Sequence, residues 1–449
     1  MAKGRRRWGI AAVAGLATAA LYAEGVLRNG WIEVFLLAPI LWYLVAPESG
    51  AALENLLLSL AALCLTIAAT DLLLRPMLGV RLHATPMNAF TRKLPRLPSV
   101  ARWDPQVAVT VETFGDLAAM MGDTALRETR TMLFQTDSAG FRNADVERPV
   151  DVVILGDSFG AGAGTTQGKV LSQILQTQYG WSTYNLSFPA CGPWQQYVNL
   201  AIEAPRLKLT RKTTVLWLLY TGNDLDDEYG DTWKLEELPW RSGFSAWKVS
   251  YKTFRGRSPL HQLAENLSWR IKRSPDMAKN VEKRHLPDGR PVLFLKGQEE
   301  WGGRTRAQVE QHHNFPKLMR TMEAMKQWGE LNGPEIAVVV LPTKGEVYPS
   351  ILHGRPQRPE DFNSSGFFQA VHSICNRISL PCVDAKPYLM ETAGRLWAFS
   401  GELLWWRDDT HLDERGHEAL AEFIAREIEP HRDLPIRQIC SSDCRETER

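Results

Sequence analysis

The chain has 449 residues, long enough for one large or two modest domains. Its net charge of +1 implies no basic patch for a nucleic acid, so nucleic-acid binding is set aside. Charged residues make up 23% of the chain but are sparse from Trp8 to Leu74, which separates the N-terminus from the rest.

The chain opens with Lys3, Arg5, Arg6 and Arg7, then runs apolar from Trp8 to Leu27 with a single charge at Glu24. A second apolar run spans Trp31 to Ala46 and a third Leu56 to Leu74. The first and third are long enough to cross a bilayer, which takes about 20 residues; the second is short. A signal peptide is the other reading of the first run, but no small-residue cleavage pattern precedes a polar start. The basic cluster should stay cytoplasmic. Three crossings then put everything after Arg75 outside, and two keep it inside. Arg75, Arg81, Arg92, Lys93 and Arg96 favour the inside. The cysteine pairs Cys375/Cys382 and Cys440/Cys444 suit disulfides in an oxidising compartment and favour the outside, with four unrelated thiols as the alternative. Three crossings and an extracytoplasmic domain are the reading taken.

Residues 79–150 read as a connector. Within it Phe134 to Asn143 should be extended, with a turn at Ser138 to Gly140. Arg142 there is expected at a solvated edge, with packing over the site as the alternative. Val152 to Leu155 then reads as a buried parallel strand. Gly156, Asp157 and Ser158 break it, and a helix opens near Gln167. Strand, tight turn and helix push a serine hydroxyl out of the carboxyl edge of a sheet and aim backbone N–H groups at the same point. The plainer reading makes Ser158 a helix cap.

Further strands are expected at Ser182 to Leu186, Thr214 to Tyr220, Ile336 to Leu341 and Cys382 to Ala385. Helices are expected at Lys169 to Tyr179, Gln195 to Ala204, Arg306 to Leu331, Gly366 to Ile378 and Arg415 to Ile428. This alternation predicts a parallel sheet with helices on both faces. Between the third and fourth strands, Glu228 to Glu335 is rich in Trp, Arg and Lys: Trp233, Trp240, Trp247, Trp269, Trp301, Arg255, Arg257, Lys272 and Arg273. It reads either as a lid over the site or as a covering subdomain with core tryptophans. Pro291, Val292 and Phe294 suggest a short strand or hairpin within it. Lys344, after the fourth strand, should face water. Near the C-terminus Asp408-Asp409-Thr410-His411 sits before the last helix. An Asp three residues ahead of a His can lie against the imidazole while the other ring nitrogen faces a serine. Cys440 and Cys444 have no His at ligand spacing, so no zinc site is expected, and no cofactor motif is present.

Four segments in order, Gly156-Asp157-Ser158-Phe159, Asn185 to Gly192, Tyr220-Thr221-Gly222-Asn223-Asp224 and Asp408 to His411, resemble the blocks of the SGNH (GDSL-type) hydrolases, in their membrane-anchored bacterial branch. The resemblance covers about Asp151 to His431 and not the first third of the chain. It implies an α/β, flavodoxin-like three-layer sandwich with a five-stranded parallel sheet of order 2-1-3-4-5, here preceded by N-terminal transmembrane helices. It also implies Ser158 as nucleophile, His411 as base and Asp408 as the residue orienting it, with Asp409 the competitor. The oxyanion donors would be the Ser158 and Gly192 N–H groups and the Asn223 side chain. The insertion departs from the small members of the family. A Pro342-Thr343-Lys344…Tyr348-Pro349 run is similar to SGNH-like acetyltransferase domains of exopolysaccharide export systems, but their Asp-x-His pair precedes the serine, and that order does not transfer.

The expected organisation is therefore 1–78 transmembrane anchor of two to three helices, 79–150 connector, 151–431 SGNH-like catalytic domain with insertion 228–335, and 432–449 tail. The expected activity is a serine esterase acting on O-acyl groups, chiefly acetyl, of a cell-envelope glycan or lipid at the bacterial inner membrane. An O-acyltransferase with the same triad, or a non-catalytic envelope assembly protein on this scaffold, are the alternatives. Envelope partner proteins are expected; no cofactor, metal or nucleic acid is. Activity should fall as His411 protonates below about pH 6.5.

Overall fold

A computed structural model describes residues 51–78, 90–94, 97, 100–144, 149–238 and 275–428. The first two apolar runs, Cys440 and Cys444, and Trp240, Trp247, Trp269, Arg255, Arg257, Lys272 and Arg273 of the insertion lie outside the described residues. The chain divides into two compact units, Met1–Pro98 with Trp240–Arg273, and Ser99–Pro239 with Ser274–Arg449.

In the first unit the main described element is the helix Ala51–Leu78. Among the described residues no helix is long and apolar enough to cross a membrane. The expectation of a crossing at Leu56 to Leu74 is thus unsupported. Thr66 and Thr70 donate their hydroxyls back to the Ala62 and Thr66 carbonyls, four residues earlier.

The second unit begins with residues expected to be a mere connector. β1 (Ala108–Thr113) and β2 (Arg130–Gln135) pair antiparallel along their whole length, and the helix Asp116–Met121 lies between them. After β2 the chain turns at Asp137, whose carbonyl accepts the Gly140 N–H at 3.1 Å, with Gly140 at φ +84°. This is the turn expected at Ser138 to Gly140.

The central sheet follows. β3 (Val152–Leu155), β4 (Thr183–Asn185) and β5 (Thr214–Tyr220) are buried along their full length. β6 (Val281–His285) and β7 (Pro291–Leu295) form an antiparallel hairpin inside the insertion. β8 (Glu335–Leu341) and β9 (Cys382–Asp384) complete the sheet. Its spatial order is β9-β8-β5-β3-β4, all parallel, which is the expected 2-1-3-4-5 order counted within the sheet. The continuous apolar runs of β3 and β5 follow from cover on both faces. Alternate residues Val152, Ile154, Leu216, Leu218, Val339 and Leu341 pack against the helices Leu171–Tyr179, Lys386–Ser400 and Glu414–Glu427.

Two helical expectations change. Arg306 to Leu331 is two helices, Arg306–Glu310 and Phe315–Asn332, because Pro316 starts the second and cannot continue the first. Lys386–Ser400 is a helix that the sequence reading did not place. Cys375 and Cys382 are buried thiols rather than a disulfide, so the expected pairing is corrected. Both lie in the packed layer between the helix Gly366–Ile378 and β9, where a thiol behaves as a small apolar side chain.

Candidate active site

β3 lies between β4 and β5, and its carboxyl end delivers the serine. Asp157 caps the short helix Ser158–Ala161 by accepting the Phe159 N–H at 2.9 Å. Gly162 ends that helix at φ +71°, a left-handed conformation that favours glycine. Gly160 has no room for a Cβ, because the Ser187 side chain occupies that space.

The histidine arrives on a closed loop before the last helix. Trp405 bridges to Leu412, and Asp413 caps the helix by accepting the Gly416 N–H at 2.8 Å. His411 Nε2 stands 2.8 Å from Ser158 Oγ, and His411 Nδ1 stands 2.7 Å from Asp409 Oδ1. The Phe159 ring backs the imidazole at 5.2 Å between centroids. His417, in the same sequence block, is buried and offers no rival base. Burial first, then the Arg142 and His411 charges, lower its pKa to about 3.

The carboxylate on His411 is therefore Asp409 and not Asp408, a correction to the expected spacing. Asp408 turns away and accepts the Gly115 and Glu128 N–H groups, each at 2.7 Å, and an Arg130 Nη1–H at 3.1 Å. Only the fold separates the two. The second Asp of the loop faces the ring, and the first is consumed by the connector that packs beneath it.

Burial disfavours the imidazolium, but the Asp409 charge and hydrogen bond, then Asp116 and Asp157, outweigh it and raise His411 to about 9. Asp409 is buried as well, yet its bond to His411 and the Arg130 charge hold it below the usual carboxylate range. The environment thus favours the imidazolium–carboxylate pair, and His411 acts as a base from its neutral form.

Three cations brace this arrangement, and sequence reasoning missed the role of each. Arg130 donates to Asp409 Oδ2 at 2.6 Å, Asp408 Oδ1 at 3.1 Å and the Gly164 carbonyl at 3.1 Å, and it lies 4.1 Å from the Trp406 ring centre. It ties the histidine loop to the segment after the serine. Arg142, expected at a solvated edge, is fully buried. It donates to the carbonyls of Ala161 at 3.1 Å, Gly162 at 2.5 Å and Thr165 at 2.5 Å, holding the end of the serine helix. Lys344, expected in water, is buried, and its Nζ donates to the carbonyls of Trp406, Leu293, Asp409 and Arg407 at 2.7, 2.9, 3.1 and 3.3 Å. A lone Lys or Arg on a linear chain carries no signal that its partners will be carbonyls from distant loops.

The insertion touches the site through its hairpin. The Leu293 N–H donates to the Arg407 carbonyl at 2.8 Å, so β7 buttresses the histidine loop. Trp301 is buried in this subdomain and donates to Asp226, and Trp233 donates to Thr321 Oγ1 at 2.8 Å. For these two tryptophans packing, rather than a lid, is what the structure contains.

Of the expected oxyanion donors, the Ser158 N–H begins its helix. The Gly192 N–H is engaged: it donates to Gln195 Oε1 at 3.0 Å in the cap of the helix Pro193–Leu207. Stabilising an oxyanion would require Gln195 to release it. Gly192 is needed sterically too, since a Cβ would meet the Asp227 side chain. The Asn223 side chain lies against the Asp157 carboxylate and favours its charge, while its own Oδ1 is buried with no partner.

In comparisons with known proteins, no family model and no curated protein matches the chain. Among solved structures it is similar to the psychrotrophic esterase EstA from Pseudoalteromonas sp., at 12% identity and TM-score 0.31, covering 61% of this chain and 94% of EstA. A G-D-S-L family lipolytic protein from Desulfitobacterium hafniense DCB-2 aligns at 13% identity and TM-score 0.30, covering 61% and 97%. TesA aligns at 13% and 0.30, covering 62% and 98%. Scores this low leave the function to be read from the site itself.

Proposed function

We propose that the protein is a serine esterase of SGNH type that cleaves O-acyl esters through an acyl-enzyme. What carries this reading is the unbroken line from Ser158 Oγ through His411 to Asp409, at 2.8 and 2.7 Å. Neutral His411 takes the Ser158 proton as Oγ attacks the acyl carbon. The ester C–O bond then breaks, and the imidazolium returns the proton to the leaving alcohol. Water, activated by the same imidazole, releases the acid. The Ser158 N–H and Asn223 are the donors proposed for the developing oxyanion, with Gly192 joining once Gln195 lets go.

The acyl group is proposed to be small, chiefly acetyl, on an envelope glycan or lipid. Transfer to a sugar hydroxyl uses the same intermediate and differs only in the acceptor. The basic cluster at Lys3 to Arg7 and the apolar runs at 8–27 and 31–46 support an enzyme anchored at a bacterial inner membrane; an odd number of crossings places the Ser158 unit outside the cytoplasm. Protease protection of membrane vesicles tests that placement; a Ser158 unit shielded on the cytoplasmic side rules it out. A fluorophosphonate should label Ser158, and p-nitrophenyl acetate hydrolysis should vanish in Ser158→Ala. Equal rates in the two proteins would leave a non-catalytic envelope protein as the better reading.

A further inference from the structure

The strand-flanked segment before β2 places a second carboxyl group against the histidine loop. Asp116 opens the helix Asp116–Met121, where an acidic residue ordinarily serves its own helix end. Here it turns outward. Its Oδ1 accepts the Thr410 N–H at 3.0 Å and its Oδ2 accepts the Thr410 hydroxyl at 2.8 Å. Thr410 Oγ1 lies in turn 3.2 Å from His411 Nδ1. One carboxylate oxygen of Asp116, one of Asp409 and a ring nitrogen of His411 all fall within 4.8 Å of one another. Gly115 permits this approach, because a Cβ there would collide with the Asp408 backbone. The Ala118 N–H reinforces it by donating to the Asp408 carbonyl at 3.1 Å.

We infer that Asp116 is the fourth member of the Ser158–His411–Asp409 line, a positioning residue that acts on the imidazole through Thr410 and Asp409. The inference rests on the esterase reading only for the part His411 plays in turnover. Two carboxyls this close beside one imidazole titrate as a coupled set. Burial and the Asp409 charge raise Asp116 to about 7, so below that pH Asp116 carries a proton and Asp409 keeps its charge. When it ionises, it adds a second negative charge beside His411 and strengthens the ring's hold on its proton. The other charged or titratable groups bearing on this cluster are Asp408 and Asp409 from its own loop, Arg130 from β2 and Asp157 from the serine turn. Lys344, Tyr220 and His417 complete the set.

The test is Asp116→Asn, which keeps the shape and the donor but cannot ionise, with Asp116→Glu as the variant that restores the charge. The His411 ring is titrated by NMR in the full chain, its signal assigned by its loss in His411→Gln, and kcat/KM for p-nitrophenyl acetate is followed over about pH 6 to 10. Asp116→Asn should move both midpoints down by about one pH unit, and Asp116→Glu should return them toward wild type. Midpoints unchanged in Asp116→Asn, with a rate lowered equally at every pH, would reduce Asp116 to a structural contact and overturn the inference. If Asp116→Asn does not fold, Asp116→Ser, which also removes the charge, should move the His411 midpoint down in the same way, and an unchanged midpoint overturns the inference. Should the wild type neither turn over the ester nor label at Ser158, the esterase reading fails, and the NMR midpoint alone decides the role of Asp116.

Discussion

An imidazole held between a hydroxyl and a carboxylate is only as good a base as its neutral form is abundant. With His411 raised to about 9, roughly one ring in a hundred is neutral at pH 7. The rate should therefore climb as pH rises from about 7 toward 9, where a free histidine would already have levelled off near 6.5. A pH–rate profile that is flat above pH 7 excludes His411 as a base with this environment. The same shift sets a stability window. The folded His411 value lies above the unfolded one, so its contribution is complete below about pH 6.5 and is lost as pH rises through about 9; Asp409, lowered in the folded state, contributes above the usual carboxylate range and loses that contribution as pH falls below it. The two neighbouring aspartates separate at this scale as well. Asp409→Asn should lower kcat by about 10⁴ in whatever protein folds, by analogy with removing the orienting acid of a serine triad. Asp408→Ala should leave kcat in the folded protein largely intact but take away the acceptor of Arg130 and two N–H groups, at a stability loss of about 3–5 kcal/mol. If Asp408→Ala abolishes turnover in a fully folded protein while Asp409→Asn spares it, the assignment is reversed.

At the scale of elements, two loops have to meet, and each is held by a cation reaching its carbonyls. Arg142 fixes the end of the serine helix, and Lys344 gathers the histidine loop together with Leu293 of β7. Lys344→Met should leave the Leu293 and Asp409 carbonyls short of a donor, each costing about 1–3 kcal/mol if it stays dry. Because Lys344 also gathers the carbonyls of the loop bearing Asp409, the variant should lose kcat more than affinity, and a KM effect alone would argue against a positioning role. The first three blocks of the resemblance were readable because each combines glycine, a small polar residue and a strand end within a few positions, and the fourth because Asp and His stand just ahead of the last helix. The bracing was not readable, because Asp116, Arg130, Arg142 and Lys344 carry their meaning only in the identity of remote partners. The swap of Asp408 for Asp409 has the same origin: adjacent residues of one type differ only in which way the loop turns.

On the scale of the whole molecule, the sheet alone does not make the site. Residues 99–150 belong to the same compact unit as the sheet and supply Asp116, Arg130 and Arg142. A chain beginning at Asp151 should consequently fail to form the Asp409–His411 pair, and should be insoluble or unreactive toward a fluorophosphonate. Full labelling of Ser158 in that truncated chain would show that the preceding segment is dispensable.

From the order of residues alone came the parallel sheet, the serine at the end of the buried strand, and the histidine loop ahead of the last helix; the strand order came only with the family resemblance. Those features are local: apolar period, glycine placement and capping chemistry act over a few neighbouring positions. Which aspartate faces the imidazole, that the Gly192 N–H is already spent on Gln195, and that an apparent connector furnishes the outer layer of the site were settled by folding. Contacts across nearly three hundred residues, such as Asp116 with Thr410, depend on how finished elements pack, and no local pattern encodes them.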